Sequence, residues 1–273
     1  MRFFIPPLIL FFFLNVALSH ASALDASRLE GDIAKTAIKV YATINNNWSY
    51  PEKGGPCSTA SPFWQIPEKG YCALYLKSDA FPKDEAMDFC AAYDSLLKSP
   101  AQLECRIAIQ MVKTMCTRAY LGDERFNALA HENWSCLFQE SPTPKTQETN
   151  IFSKMAFDFW RQSKGSSRHR VGGTYYITNL KDYLDRNPGG AFQGHNVMCV
   201  GENRYVGFGE VFKDGPVDYA AVLSDLFKAY GDRKMTWDVF VNIQCIQQVE
   251  KDAGSFFDAE QAESVIGCAS DAK

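Results

Sequence analysis

The 273-residue chain lacks an excess of either charge: 28 Lys+Arg stand against 32 Asp+Glu, a net charge of −4. Neither that balance nor any polybasic run supplies the electrostatic footprint of a nucleic-acid binder or of a protein held on an anionic membrane. After the first 23 residues no stretch approaches the roughly 18 apolar residues that a spanning helix needs. No CxxC pair and no Cys/His cluster has structural zinc spacing, so no metal site is expected. Gly172-Gly173 and Gly189-Gly190 do not lead into helices with GxGxxG spacing and read as turn glycines. Internal repeats are absent. Charged residues at 22% and apolar residues at 46% exclude wholesale disorder, and the length suits one or two domains.

What is present begins at the N-terminus. Arg2 precedes an apolar run, Phe3 to Leu18, which contains Pro6-Pro7 and is followed by the small-x-small triplet Ala21-Ser22-Ala23. This is the layout of a secretory signal peptide over residues 1–23, removed after Ala23. The expectation is a secreted or periplasmic protein with no membrane contact after signal removal, a single domain over 24–273, and an N-terminal extension or pro-segment available in 24–55. Export makes disulfides the natural fate of cysteine. Nine cysteines follow the signal: Cys57, Cys72, Cys90, Cys105, Cys116, Cys136, Cys199, Cys245 and Cys268. Nine is odd, so at least one stays unpaired or bonds another chain.

Ile33, Ala37, Val40 and Ile44 recur at helical spacing and predict a first helix from about residue 29. Pro82 followed by Lys83-Asp84-Glu85 predicts a second, running to about Leu97, with Met87, Cys90, Ala91 and Tyr93 toward its buried side. Ser99-Pro100-Ala101-Gln102 reads as a capping box opening a third helix. Its apolar face carries Cys105, Ala108, Ile109, Val112, Met115, Cys116 and Ala119, and its polar face Arg106, Gln110, Lys113 and Thr117. A shorter helix fits Asp123 to Glu132, and residues 139–150 read as a polar loop. Thr174–Thr178 then reads as a strand, and His195–Val200 with Arg204–Phe208 as a hairpin around Gly201-Glu202-Asn203. Helices return at about 217–230, 236–251 and 258–266. Helices first, then a compact antiparallel sheet, predict an α+β fold.

Two residues stand out chemically. A cysteine near a helix start gains thiolate character from the partial positive charge there, and a histidine on a packed strand can take the thiol proton and return it to a leaving amine. Cys105 and His195 fit those places, and first-turn N–H groups around Cys105 suit a developing oxyanion. The bland alternatives are a buried free cysteine on an apolar helix face and a satisfied structural histidine. The capping box sets Cys105 more than one turn inside its helix; a start nearer Leu103 brings it to the terminus. Cys199, four residues past His195 on the same strand face, is a rival for the odd thiol. Asn196 projects to the opposite face from His195. His131 and His169 read as solvated.

Leu103-Glu104-Cys105-Arg106-Ile107-Ala108-Ile109-Gln110-Met111-Val112 resembles the nucleophile helix of the bacterial spore-coat protein-glutamine γ-glutamyltransferases, which carry an aromatic-Glu-Cys-x-Thr-Ala pattern there. Leu121-Gly122-Asp123-Glu124-Arg125-Phe126-Asn127 is similar to that family's Gly-Glu-x-x-Phe-Asn segment. Phe192-Gln193-Gly194-His195-Asn196 and Gly201 to Gly209 resemble its Trp-Gln-Gly-Glu-Asn and Gly-x-x-Phe-x-Gly-His-Gly stretches. Cys57, Trp64, Gly70-Tyr71 through Lys77, and Pro82 to Asp88 follow the same layout, so the resemblance spans roughly residues 57–212.

The resemblance implies a papain-like core in which the nucleophile helix packs on a small antiparallel sheet. It also implies acyl transfer from glutamine side chains to lysine amines, or to water, through a cysteine thioester and without a cofactor. Cys105 becomes the nucleophile and Glu104 the family's neighbouring acid. His195 stands where the family has its glutamate partner, and Phe208 where the family has a histidine. With Cys105 kept reduced, eight cysteines remain for four disulfides, hence a disulfide-stapled domain. The expected partners are proteins or peptides bearing Gln and Lys. Two other readings stay open: a cysteine amidase or endopeptidase acting on cell-wall peptides with the same pair, and a non-enzymatic disulfide-rich binding protein.

Overall fold

The helical spacing of Ile33, Ala37, Tyr41 and Ile44 is realised in a computed structural model as the buried stripe of one long helix, α1 (Pro7–Asn47). The structure describes residues 7–52, 55–66, 74–77, 88–133, 136–137, 160–164, 169–188, 190–251 and 253–258; it describes only the backbone of 7–25, 131–133, 136–137, 161–164, 245–251 and 253. The loop expected at 139–150, the helix start at Pro82 and the last helix near 258–266 fall wholly or almost wholly outside these residues. Among the described residues no helix is long and apolar enough to cross a membrane.

Helix α2 (Phe89–Lys98) starts at Asp88, whose carboxylate accepts from the Ala91 N–H at 3.0 Å and satisfies one of the donors a helix start leaves open. Its buried face holds Phe89, Ala92, Tyr93 and Leu96, whereas Ala91, expected inward, is exposed. The capping box expected at Ser99 does not form. Ser99 closes α2 through its N–H to Ser95 and Leu96, and Ala101–Gln102 is a short strand, β5. It lies between β1 (Trp48–Ser49), which is parallel to it, and β2 (Ser58–Thr59), which is antiparallel. Pairing on both sides holds the backbone extended where local propensity favours a helix turn, so α3 begins only at Cys105 and runs to Leu121. A second small antiparallel sheet joins β3 (Trp64–Gln65), β4 (Leu74–Leu76) and β6 (Cys136–Leu137). Helix α4 (Asp123–Asn133) follows α3 directly, and Arg118 ties the helices together through Asp94 of α2 at 2.7 Å and Asp123 at 2.8 Å.

The main sheet has six antiparallel strands in the order β11-β10-β9-β8-β12-β7. These are β7 (Trp160–Lys164), β8 (Thr174–Thr178), β9 (Gly194–Gly201), β10 (Arg204–Gly207), β11 (Val217–Asp218) and β12 (Ala253–Phe257). The hairpin turn at Glu202-Asn203 places Asn203 at φ 51°, a left-handed conformation that asparagine tolerates. Strands β7 and β12 were not legible as strands, because their sequences do not alternate between polar and apolar residues. A single helical turn, α5 (Tyr183–Arg186), and two longer helices, α6 (Tyr219–Tyr230) and α7 (Trp237–Lys251), complete the described elements.

The sheet separates two cores. Helices α1, α2 and α3 pack on one face with Met198 and Val206; α6 and α7 pack on the other with Ile177, Val197 and Cys199. Burying each large aliphatic side chain contributes about 1.5–3 kcal/mol. The sequence window 24–55, expected to offer a separable extension, is integral to the first core through Ile33, Ala37, Tyr41, Ile44 and Trp48. The α+β expectation therefore stands. The four-disulfide staple does not: Cys90, Cys116 and Cys199 are free thiols, as is Cys105, while Cys57 is disulfide-bonded. Cys90, Cys116 and Cys199 are buried.

Helix α3 is covered nearly all round, so Lys113 and Thr117, read as solvent-facing, are buried. The Lys113 ammonium donates to Ser255 Oγ at 3.2 Å and lies 5.2 Å from the Trp160 ring centre. Burial pulls its pKa down to about 8. The folded state thus holds fewer protons than the unfolded chain between that value and the ordinary lysine range, and folding stability rises with pH across the interval. Lys113→Met is expected to be more stable than wild type by about 1–3 kcal/mol at pH 7. Urea denaturation should show that advantage shrinking between pH 8 and 10; a constant difference would contradict the assignment.

Candidate active site around Cys105

The main chain reaches Cys105 in extended form, with the Leu103 N–H donating to Ser49 O at 2.9 Å, and Glu104 is the last extended residue at φ −94° and ψ 157°. Cys105 is consequently the first residue of α3, inside the turn where unpaired N–H groups concentrate partial positive charge. The thiol is half-buried. Glu104 occupies the capping position without a capping hydrogen bond from its side chain.

Facing the thiol is Asn196 on β9, whose side-chain amide donates to Cys105 Sγ at 3.2 Å. Tyr50 lies near the same sulfur, and its hydroxyl donates its one hydrogen to the Phe208 carbonyl at 3.1 Å. The Tyr50 ring packs on that of Phe208 at 4.5 Å between centres. Asn45 of α1 fixes this corner: it donates to Gly207 O at 3.0 Å and accepts from the Gly209 N–H at 3.1 Å. Gly209 sits at φ 130°, a conformation that favours glycine.

The expected pairing of His195 with Cys105 is not what the structure contains. Successive strand residues point to opposite faces, and with Asn196 toward Cys105, His195 points into the second core. There it is 2% exposed, with Nε2 2.9 Å from Asp225 Oδ2 on α6 and its ring edge-on to Phe212. His195 Nδ1 is buried without a hydrogen-bond partner among the described residues. Phe208 fills the place expected for a family histidine with a buried hydrocarbon ring. Cys199 shares the His195 face, donates to Gly201 O at 3.2 Å, and is removed from the Cys105 site. His169, read as solvated, is half-buried, stacked on Tyr175 at 3.8 Å and hydrogen-bonded to the Tyr205 hydroxyl at 2.8 Å.

The thiol's environment is mixed. Burial pushes its pKa up, the Asn196 amide pulls it down, the charge of Glu104 pushes it up again, and Tyr50 pulls it down; the balance lies above the ordinary thiol range. Burial, reinforced by the negative charge that forms on Cys105, holds the Tyr50 phenol well above its usual range, so Tyr50 remains a donor. The site therefore supplies hydrogen-bond donors for a thiolate or an oxyanion, and its nearest carboxylate in the chain is Glu104. A neutral amide cannot accept the thiol proton. Among the described residues no cluster of three or more His, Cys, Asp or Glu is arranged to hold a metal ion. Sequence reasoning set Asn196 aside and missed Tyr50 and Asp225. The two-residue strand period carried the signal for Asn196; nothing local marked the other two.

Alkylation of Cys105 is expected to accelerate with pH through and beyond pH 9, because the thiolate is the reacting species. A plateau near neutrality would refute the raised thiol. Asn196→Ala removes a hydrogen bond to a charged group and is expected to slow alkylation at pH 8 by about tenfold or more. Asp225→Ala leaves the buried imidazole without its partner. It is expected to lower stability by about 1–3 kcal/mol in urea denaturation while changing the alkylation rate by less than about twofold.

No protein-family model matches the chain, and no curated protein matches its sequence. Among solved structures, it is similar to a transglutaminase from Geobacillus stearothermophilus without its C-terminal extension. The match covers 76% of this chain and 85% of that one, with a TM-score of 0.52 and 16% identity. The likeness is one of architecture: the chain has a transglutaminase-like α+β fold.

Proposed function

We propose that the protein is a transglutaminase-like thiol acyltransferase with Cys105 as its nucleophile. The observation that carries this reading is the Cys105 sulfur at the first position of α3, held by the Asn196 amide at 3.2 Å, on a transglutaminase-like fold. The ionised thiol attacks the carboxamide carbon of a glutamine side chain, and the C–S bond forms while ammonia leaves. Asn196 and the first-turn N–H groups stabilise the charge that develops on oxygen. Glu104 takes the thiol proton and returns it to the departing ammonia, the role first expected of His195. A lysine amine or water then cleaves the thioester and regenerates the thiol. The substrates are proteins or peptides bearing Gln and Lys, and the signal-like residues 1–23 support action outside the cytoplasm.

The buried His195 and the raised thiol favour a second reading, a binding protein that keeps the fold without the reaction. Mass spectrometry of a glutamine peptide incubated with a small primary amine separates the two. Wild type at pH 8–9 is expected to form the amine adduct, and Cys105→Ala to form none. A gain of about one mass unit without the adduct marks hydrolysis by water. An unmodified peptide across that pH range sinks the acyltransferase reading. Glu104→Gln is expected to raise the alkylation rate of Cys105 near neutrality, by removing a like charge, yet to lower adduct formation at least about tenfold by removing the base. If both rates rise together, Glu104 is not the base.

A further inference from the structure

On β8 the face shared with Asn196 carries Thr174, Tyr176 and Thr178. The two threonines are 6% and 5% exposed, whereas Tyr176 between them, much the largest of the three, is 40% exposed. Tyr176 stands directly opposite Asn196 in the strand register, which sets their Cβ atoms about 4.5–5.5 Å apart. Asn196 in turn donates to Cys105 Sγ at 3.2 Å. Asn196 and Cys105 are half-buried, so the three side chains border one opening in an otherwise covered stretch of the sheet. The Tyr176 ring leans across Gly194, where an added Cβ would come within 2.8 Å of its Cζ. Glycine at 194 therefore leaves the space that lets the ring settle toward the sheet instead of standing off it. A lone exposed aromatic is ordinary on a protein surface. This one is set apart by its place, one strand across from the residue that holds the thiol.

We propose that Tyr176 is a specificity-determining residue of the acyl-donor site, the floor on which an apolar side chain next to the reactive glutamine lies. A tyrosine ring offers a broad apolar face, and covering it with a hydrocarbon side chain removes both surfaces from water. The contact also fixes the substrate relative to the sulfur, since the ring is held by Gly194 and by the register with Asn196. The charge that acts on the thiol is the negative one of Glu104, so an acidic neighbour on the substrate gains nothing there. Burial pushes the Tyr176 phenol up to about 12, and the ring stays uncharged through pH 9. The proposal rests on Cys105 being the group that receives the acyl chain.

Two measurements keep the subsite and the reaction apart. The first needs no turnover: the ratio of Cys105 alkylation rates with N-phenyliodoacetamide and with iodoacetamide, in which the thiolate fraction cancels. Tyr176→Ala is expected to lower that ratio about fivefold, the scale of one lost aromatic contact, and Tyr176→Phe to keep it. The second compares amine incorporation into glutamine peptides whose neighbouring residue is Leu, Gly or Lys. Wild type is expected to favour Leu over Gly about tenfold in kcat/KM, and Tyr176→Ala to erase that preference. A ratio unchanged or raised by Tyr176→Ala overturns the subsite, whatever the peptides do. A ratio that falls as far in Tyr176→Phe as in Tyr176→Ala overturns it too, because the hydroxyl and not the ring then makes the contact. Turnover with no preference for Leu, or with Lys preferred, also overturns it. A ratio that falls only in Tyr176→Ala while no peptide reacts upholds the subsite and removes the acyltransferase reading instead.

Discussion

Strand β9 has helices packed over both of its faces, and its register decides which of its residues meet the thiol. It pairs with β8 from Gly194 to Met198 and with β10 on its other edge, where the register shifts between Arg204 and Tyr205. Between those neighbours a slip of one residue would send every side chain to the opposite core. Gly194 helps fix the position, since no other residue fits between Ile177 O and the Tyr176 ring. The chemistry at Cys105 and the structural role of His195 are two consequences of that one register. The first core receives Asn196, Met198 and Val200; the second receives His195, Val197 and Cys199.

The half-buried thiol is governed by a contest between solvation and hydrogen bonding. Removing sulfur from water disfavours its ionised form, while the Asn196 amide and the start of a helix favour it. Burial is the largest influence, so the resting thiol is protonated. An imidazole at Asn196 would alter that balance, but the imidazole of this chain is one residue earlier and one face away, bonded to Asp225.

The long first helix ties this site to the rest of the molecule. Asn45, near its end, holds both Gly207 and Gly209, and Tyr50, just beyond it, reaches the thiol and the Phe208 carbonyl. Cys116 is buried against the same helix, with its thiol 3.7 Å from Ile33 O. A segment that composition alone would allow to be detached is thus the element on which α3 and the exit of β10 are aligned. Tyr50 has no periodic or motif signal because it follows a two-residue strand, and its role arises only from where α1 delivers it.

Much of the molecule was legible from local pattern. The helices at α4, α6 and α7, the strand Thr174–Thr178, the hairpin with its Asn203 turn and the α+β class follow from side-chain period and turn chemistry, which act over a few residues. Cys105 was legible as the residue to examine. What failed were statements that depend on distant neighbours: Ala101–Gln102 became a strand because two other segments pair with it, and Lys113 became buried because β7 and β12 close over it. Cys90, Cys116 and Cys199 are free thiols in the fold, although composition and export alone pointed to pairing. The sequence by itself determined most of the helices, the strand Thr174–Thr178, the hairpin and the α+β class, and marked Cys105 as a thiol to examine. Only the tertiary structure decided that Asn196 rather than His195 meets it, because a strand's period is local while the face it turns to a given helix is set by packing across the whole sheet.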